Sequence, residues 1–142
     1  MLSKKAKYAI NALIYIAKSK ENKPVMSSEI SKHQNIPKKF LERILLDLKS
    51  AEILDSKRGR HGGYFLSKST TEINLAEVMR LFDGAIAFLP CVTHDYYQAC
   101  EECKFEEQCG IHHAFLELKL MTVKFLKKCT LKDILQREYL LS

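Results

Sequence analysis

Lys57-Arg58-Gly59-Arg60-His61-Gly62-Gly63-Tyr64 is the stretch on which the reading of this chain turns. Three glycines stand among basic side chains. Glycine lets a backbone turn tightly and come close to another molecule, and the arginines and lysine make the tip of such a turn solvated and positive. The glycines alone would suit an ordinary exposed turn. Two short helical patterns just before them favour another reading: a basic hairpin after a helix-turn-helix is a wing that can lie along a DNA groove.

Upstream of the turn, Pro37 opens a helix at the position where a missing N–H costs little. Leu41, Ile44, Leu45 and Leu48 form its inner face, and Lys38, Lys39, Glu42 and Arg43 its outer face. Before it, Ser27 or Ser28 opens a shorter helix to about Gln34, with Ile30 inward. The pair fits a helix-turn-helix whose second member is the recognition helix. The spacing of Ala6, Ala9, Ile10, Leu13, Ile16 and Ala17 predicts a first helix from residue 3 to about 19, with Ser3 as N-cap. Ile53-Leu54 and Tyr64-Phe65-Leu66 flank the glycine turn as short strands. Asn74, with Glu77 three residues on, reads as a capping box for a helix ending near Phe82, before Gly84. Residues 1–83 are thus expected to be a winged helix-turn-helix domain.

The remainder has another character. Residues 84–109 are irregular and carry cysteines, and residues 110–142 hold a long helix and a short one opened by Thr130. On the long helix, Ile111, Phe115, Leu118, Thr122, Phe125 and Cys129 form one apolar stripe, and Leu116, Leu120, Val123 and Leu126 a second. One stripe can pack on the helix's own domain while the other takes a partner, so a homodimer is expected. The fold expected is mainly α with a small β-wing, a winged helix-turn-helix domain plus a long C-terminal dimerisation helix.

Composition agrees. The 142 residues suit one domain, or a domain with an appendage, 46% of them are hydrophobic, and the net charge of +6 favours phosphate backbones or anionic surfaces. No apolar run is long enough to span a bilayer, and Asn11 and Tyr15 interrupt the only N-terminal stretch that could imitate a signal peptide. A cytoplasmic location without a membrane partner follows as an expectation. In that compartment, five cysteines read as ligands, sensors or buried thiols rather than as a disulfide framework.

Four segments together carry a family resemblance: Leu2-Ser3-Lys4-Lys5-Ala6-Lys7-Tyr8-Ala9, Ile36-Pro37-Lys38-Lys39-Phe40-Leu41-Glu42, Arg58 to Leu66, and Asn74-Leu75-Ala76-Glu77-Val78. The chain resembles the winged-helix family of bacterial regulators that includes the iron–sulfur assembly regulator IscR, the nitric-oxide sensor NsrR and the cysteine-metabolism regulator CymR. The resemblance continues through Cys91, Cys103 and Cys109 into the long helix. It implies a homodimer binding an imperfect palindrome in double-stranded DNA, usually as a repressor. By position it places Lys39, Phe40, Glu42 and Arg43 toward the major groove and Arg58, Gly59, Arg60 and His61 at the minor groove. Ser28 and Lys38 join these as candidate DNA contacts. Arg43 could pair with guanine, while Lys38 and Lys39 could equally hold phosphates. Arg60 and His61 replace the proline and a glycine of the family's usual wing, which adds charge and removes backbone freedom.

Cys91, Cys100, Cys103 and Cys109 fall within nineteen residues, followed by His112 and His113. Thiolates hold iron–sulfur clusters, and histidine can replace a thiolate on one iron. The resemblance implies a 2Fe–2S cluster on Cys91, Cys103, Cys109 and His112; the Cys103-x5-Cys109-x2-His112 spacing matches that branch. The longer gap before Cys103 contains the additional Cys100, so the first ligand is Cys91 or Cys100. Lys7 stands where the nitric-oxide branch supplies a carboxylate, which counts against that ligand set without excluding a 4Fe–4S cluster. Zinc on Cys100, Cys103, Cys109 and His112, a thiol switch through Cys100 and Cys103, and no cofactor remain as alternatives. Cys129 reads as a buried apolar residue. Cys109 with His112 could imitate a nucleophile–base pair, but no oxyanion site accompanies it, and an enzyme is not expected.

Overall fold

The computed structural model describes residues 2–142. Six helices and one antiparallel pair of strands follow in the order α1 (Lys4–Ala17), α2 (Ser27–Gln34), α3 (Lys38–Ser50), β1 (Leu54–Lys57), β2 (Gly63–Leu66), α4 (Leu75–Asp83), α5 (Gly110–Lys128) and α6 (Leu131–Leu141). The fold is mainly helical with a small β-wing, as the hydrophobic periods predict.

Ser3 caps α1 by accepting the Ala6 N–H at 3.0 Å. Its own hydroxyl and N–H both donate to Asp83 at the end of α4, tying the first helix to the fourth. Asn35, in the left-handed region at φ 51°, stops α2 and turns the chain into Ile36-Pro37. α1 buries Ala9, Leu13 and Ile16, α2 buries Ile30, and α3 buries Leu41, Ile44, Leu45 and Leu48. These meet Ile53, Leu54, Leu66, Ile73 and Val78 in one apolar cluster that no buried polar side chain interrupts among the described residues. Asn74 accepts the Glu77 N–H, but the predicted capping box is only half made: the Glu77 carboxylate takes the Lys68 ammonium at 2.6 Å instead.

The strands pair Leu54 with Leu66 and Lys57 with Gly63, and Tyr64 exchanges backbone hydrogen bonds of 2.8 Å with Val25 before α2. That third contact depends on glycine. A Cβ on Gly63, whose φ is +138°, would collide with the Val25 backbone, and one on Gly62 with the Lys57 carbonyl.

The last two helices behave differently from each other. α6 returns to the N-terminal core. Leu131 is buried there, its N–H donates to the Ile73 carbonyl at 2.8 Å, and Thr130 and Asp133 form a complete capping box. α5 buries none of its nineteen residues. The stripes expected along it need correction. Phe115 and Thr122 turn inward with Leu116, Val123 and Leu126, whereas Ile111, Leu118 and Phe125 face out with Met121. Apolarity gives the period of a stripe but not its direction. The outward seam, Ile111, Ala114, Leu118, Met121 and Phe125, steps three and four residues alternately, which the mixed stripe obscured.

Candidate nucleic-acid interface and cysteine cluster

The core fixes α3 through four leucine and isoleucine side chains on one face and leaves the opposite face to solvent. Lys38, Lys39, Phe40, Glu42 and Arg43 are all exposed there. Phe40 is steadied by an edge-to-face contact with Tyr8 of α1, ring centres 5.8 Å apart. Asp47, one turn after Arg43, lies 3.8 Å from its Nε and 3.2 Å from the Lys5 ammonium, which limits the excess positive charge without burying it. Ser28 is exposed in the first turn of α2. Arg58, Gly59, Arg60 and His61 form the exposed tip between β1 and β2, closed by a 3.0 Å hydrogen bond from the Gly62 N–H to the Gly59 carbonyl. Tyr64 joins wing to helix: its burial, and then the nearby Glu42 carboxylate, raise its phenol pKa above the usual value. An exposed helix face and a basic wing set beside it by a rigid core form a surface suited to a helix in the major groove and a hairpin on the backbone.

The cysteine segment runs from a short turn at Pro90–Val92 to the start of α5. Cys109 caps that helix, its Sγ accepting the His112 N–H at 3.4 Å. That bond, followed by the neighbouring Cys103 thiol, holds the Cys109 pKa below the usual thiol value. Cys103 is pushed up by burial and by Cys109. Tyr97 donates to Glu106 at 2.7 Å and stands near enough to Cys91 and Cys103 for their charges to raise its pKa further. Cys100 is exposed and bonds Glu102 at 3.2 Å, which raises its pKa. Cys103, Cys109 and His112 therefore lie together, and Cys100, bonded to Glu102, stands near enough to both Cys103 and Cys91 for their charges to be felt. Among the described residues, no three His, Cys, Asp or Glu side chains close round a single point as metal ligands.

One atom of this group stands out. His112 Nδ1 is buried and makes no hydrogen bond, with Glu106 Oε1 3.5 Å away. Buried polar atoms nearly always have a partner, so an orphaned imidazole nitrogen beside thiols fits a ligand position. The donor set, thiols plus one imidazole, is of the kind that binds iron–sulfur clusters. His33, by contrast, is exposed and stacked on Tyr15, and Cys129 is buried.

Residues 2–137 match the Rrf2 family, described as an iron-dependent transcriptional regulator. The chain belongs to the Rrf2 family. An rrf2-like HTH-type regulator of Rhodobacter capsulatus is 38% identical over 95% of this chain and 92% of its own length. The HTH-type transcriptional regulator IscR of Sodalis glossinidius is 29% identical over 99% of this chain and 81% of its own. Among solved structures, CymR, the global cysteine regulator of B. subtilis, superposes with a TM-score of 0.78 over 96% of this chain and 97% of that one, at 21% identity. T. potens IscR gives 0.76 over 97% and 88%, at 22% identity. The Rrf2-family chain described here is a DNA-binding transcriptional regulator with a winged-helix fold, and its relatives are regulators rather than enzymes. None of its helices is long and apolar enough to cross a membrane among the described residues.

Sequence reasoning missed Lys119. This lysine interrupts the inward face of α5, and its ammonium donates to the Val92 carbonyl at 2.6 Å. The signal was present: one charge between Leu116 and Val123 on the apolar side of a helix.

Proposed function

We propose that the protein is a homodimeric repressor of palindromic operators whose affinity is set by a 2Fe–2S cluster on Cys91, Cys103, Cys109 and His112. The observation that carries the cluster reading is the buried, unpartnered Nδ1 of His112 beside the Cys109 thiol of lowered pKa. Such a cluster supplies a redox state and a lability that respond to oxidants and iron supply. The chain's own residues do the rest. Cys109 caps α5, so its position is locked to the helix that carries the outward apolar seam. A second copy laid on that seam would set the distance between two recognition helices, on which half-site reading depends. On this reading Arg43 pairs with guanine, Lys38, Lys39 and Ser28 hold phosphates, and Phe40 and Glu42 face base edges. Arg58, Gly59, Arg60 and His61 would follow the minor groove.

Zinc is the second reading. The Cys103 N–H donates to the Cys100 carbonyl at 3.2 Å, a turn of the kind that brings two thiols to one ion. Anaerobically purified protein should show a broad visible band with stoichiometric iron and sulfide, and Cys103→Ala and Cys109→Ala should lose both and change operator affinity. Stoichiometric zinc without colour would replace the cluster by the zinc site. Absence of both metals, with all three proteins binding DNA alike, would remove the cofactor.

A further inference from the structure

Lys119 stands two turns after His112 on the same side of α5, about 10.5 Å along the axis at 1.5 Å per residue. A long cationic side chain on the inward face of an amphipathic helix is costly unless its head reaches water or a partner. Here the head is partly buried and reaches a backbone carbonyl, that of Val92. No carboxylate lies within ion-pairing distance of it among the described residues. Val92 itself is buried against α5, at 3% exposure. Thr93 closes the same turn by donating its hydroxyl to the Pro90 carbonyl at 2.8 Å and its N–H to that carbonyl at 3.1 Å. The turn, closed by Thr93 and tied to α5 by Lys119, contains Cys91. Cys100 is held only within its own segment: its carbonyl accepts the Cys103 N–H at 3.2 Å and its exposed thiol bonds Glu102 two residues away.

We propose that Lys119 is a positioning residue, clamping the Pro90–Val92 turn to the middle of α5 so that Cys91 is held toward the end of the helix that carries Cys109 and His112. This rests on the reading of that group as a cluster site and deepens it: the first ligand is Cys91, the thiol whose turn is tied to α5, and not Cys100, whose turn is closed only locally. The clamp also joins a ligand to α5 at a point backed by the outward seam, since Leu118 and Met121 lie on the opposite side of the same turn. A change at Cys91 is thereby felt by the helix that would set the spacing of two subunits.

The test separates the clamp from the cluster. In the reduced, metal-free full-length chain, iodoacetamide labelling of each cysteine is followed by mass spectrometry. A hydrogen bond to a charged group is worth enough that its loss should raise the Cys91 labelling rate about tenfold in Lys119→Met. Cys100 should label as before, and Lys119→Arg, which keeps a donor, should stay near wild type. Reconstituted with iron and sulfide, Lys119→Met should then lose its visible band in air faster than wild type or Lys119→Arg. Equal Cys91 rates in Lys119→Met and wild type overturn the clamp, as does equal acceleration of Cys91 and Cys100. If Lys119→Met does not fold, Lys119→Gln, with a shorter reach to the carbonyl, is judged by the same rates. A wild type that takes up no cluster defeats the proposed cofactor, while the labelling rates still decide the clamp.

Discussion

The two long helices that bracket the chain are built on opposite principles. α1 buries six of its fourteen residues and has its cap, its core contacts and its tie to α4 all satisfied within one chain. α5 is longer, at nineteen residues, yet buries none. Leu118, Leu120, Met121 and Phe125 remain 40–64% exposed along it. An isolated helix draws little stability from propensity and most from packing. On the dimeric reading proposed above, the apolar seam of α5 is covered by a second copy, whereas α1 is packed within its own chain. The winged-helix half has its apolar side chains in one core, and the helix that follows the cysteines does not.

The largest expected effect breaks that contrast at the seam. Leu118→Glu places a charge where a second copy would pack, and should give a monomer whose winged-helix core stays folded. Specific operator affinity should fall by at least about 10³-fold, toward the non-specific level, because half-sites are read in pairs. Sedimentation together with operator titration checks it. A variant that stays dimeric and binds normally would return the seam to solvent and leave α5 as an isolated spoke. The same charge at Leu45, which is fully buried, should instead unfold the domain.

The contrast also explains how much could be read from the sequence. The element order of the winged-helix half was legible, because Ser3, Pro37, Gly63 and Asn74 punctuate it with local chemistry and its apolar periods all point to one core, but its bounds shifted: the first strand is Leu54–Lys57 rather than Ile53-Leu54, and α1 ends at Ala17 rather than near residue 19. The period of α5 was legible and its direction was not: Ile111 and Phe115 are both apolar, and Phe115 turns in against Phe88, ring centres 6.1 Å apart, a residue twenty-seven positions earlier. The capping box at Asn74 was half right because Lys68, nine residues before Glu77 in the chain, competes for its carboxylate. The cysteine segment gave its donor types through spacing. It concealed the hold on the Cys91 turn, which depends on Lys119, twenty-seven residues after the Val92 whose carbonyl it takes.

A smaller effect is expected at the wing. Arg58 and Arg60 are exposed at its tip, and each phosphate contact releases condensed counterions. Replacing both by alanine should weaken operator binding and flatten the slope of log affinity against log salt by about 1.8, two contacts at ~0.9 each. The core that carries the wing should be untouched, so thermal unfolding should not move. An unchanged salt slope would take the wing off the DNA and assign the interface to α3 alone.

The smallest effect sharpens the comparison where the two halves meet, at the cap of α6. The Asp133 carboxylate accepts the Thr130 N–H and hydroxyl at 2.8 Å each. The backbone bond first, and then the hydroxyl, hold its pKa below the usual carboxylate value. A carboxyl whose folded pKa is depressed contributes stability that is fully present above its unfolded pKa and is lost as pH falls through the folded one. The docking of α6 on the core should therefore be constant through neutral pH and weaken only in acid. Amide exchange in residues 131–141 should quicken below the ordinary carboxylate range while the amides of α1 and α3 hold. Asp133→Asn should abolish that acid step and leave a small, pH-independent loss. Thr130→Ala should cost about 1 kcal/mol, as the loss of an N-cap hydroxyl does. Should α6 and α3 open together at every pH, the return of α6 would be part of the core itself, and the boundary between that core and the helix packed outside it would fall at α5 alone.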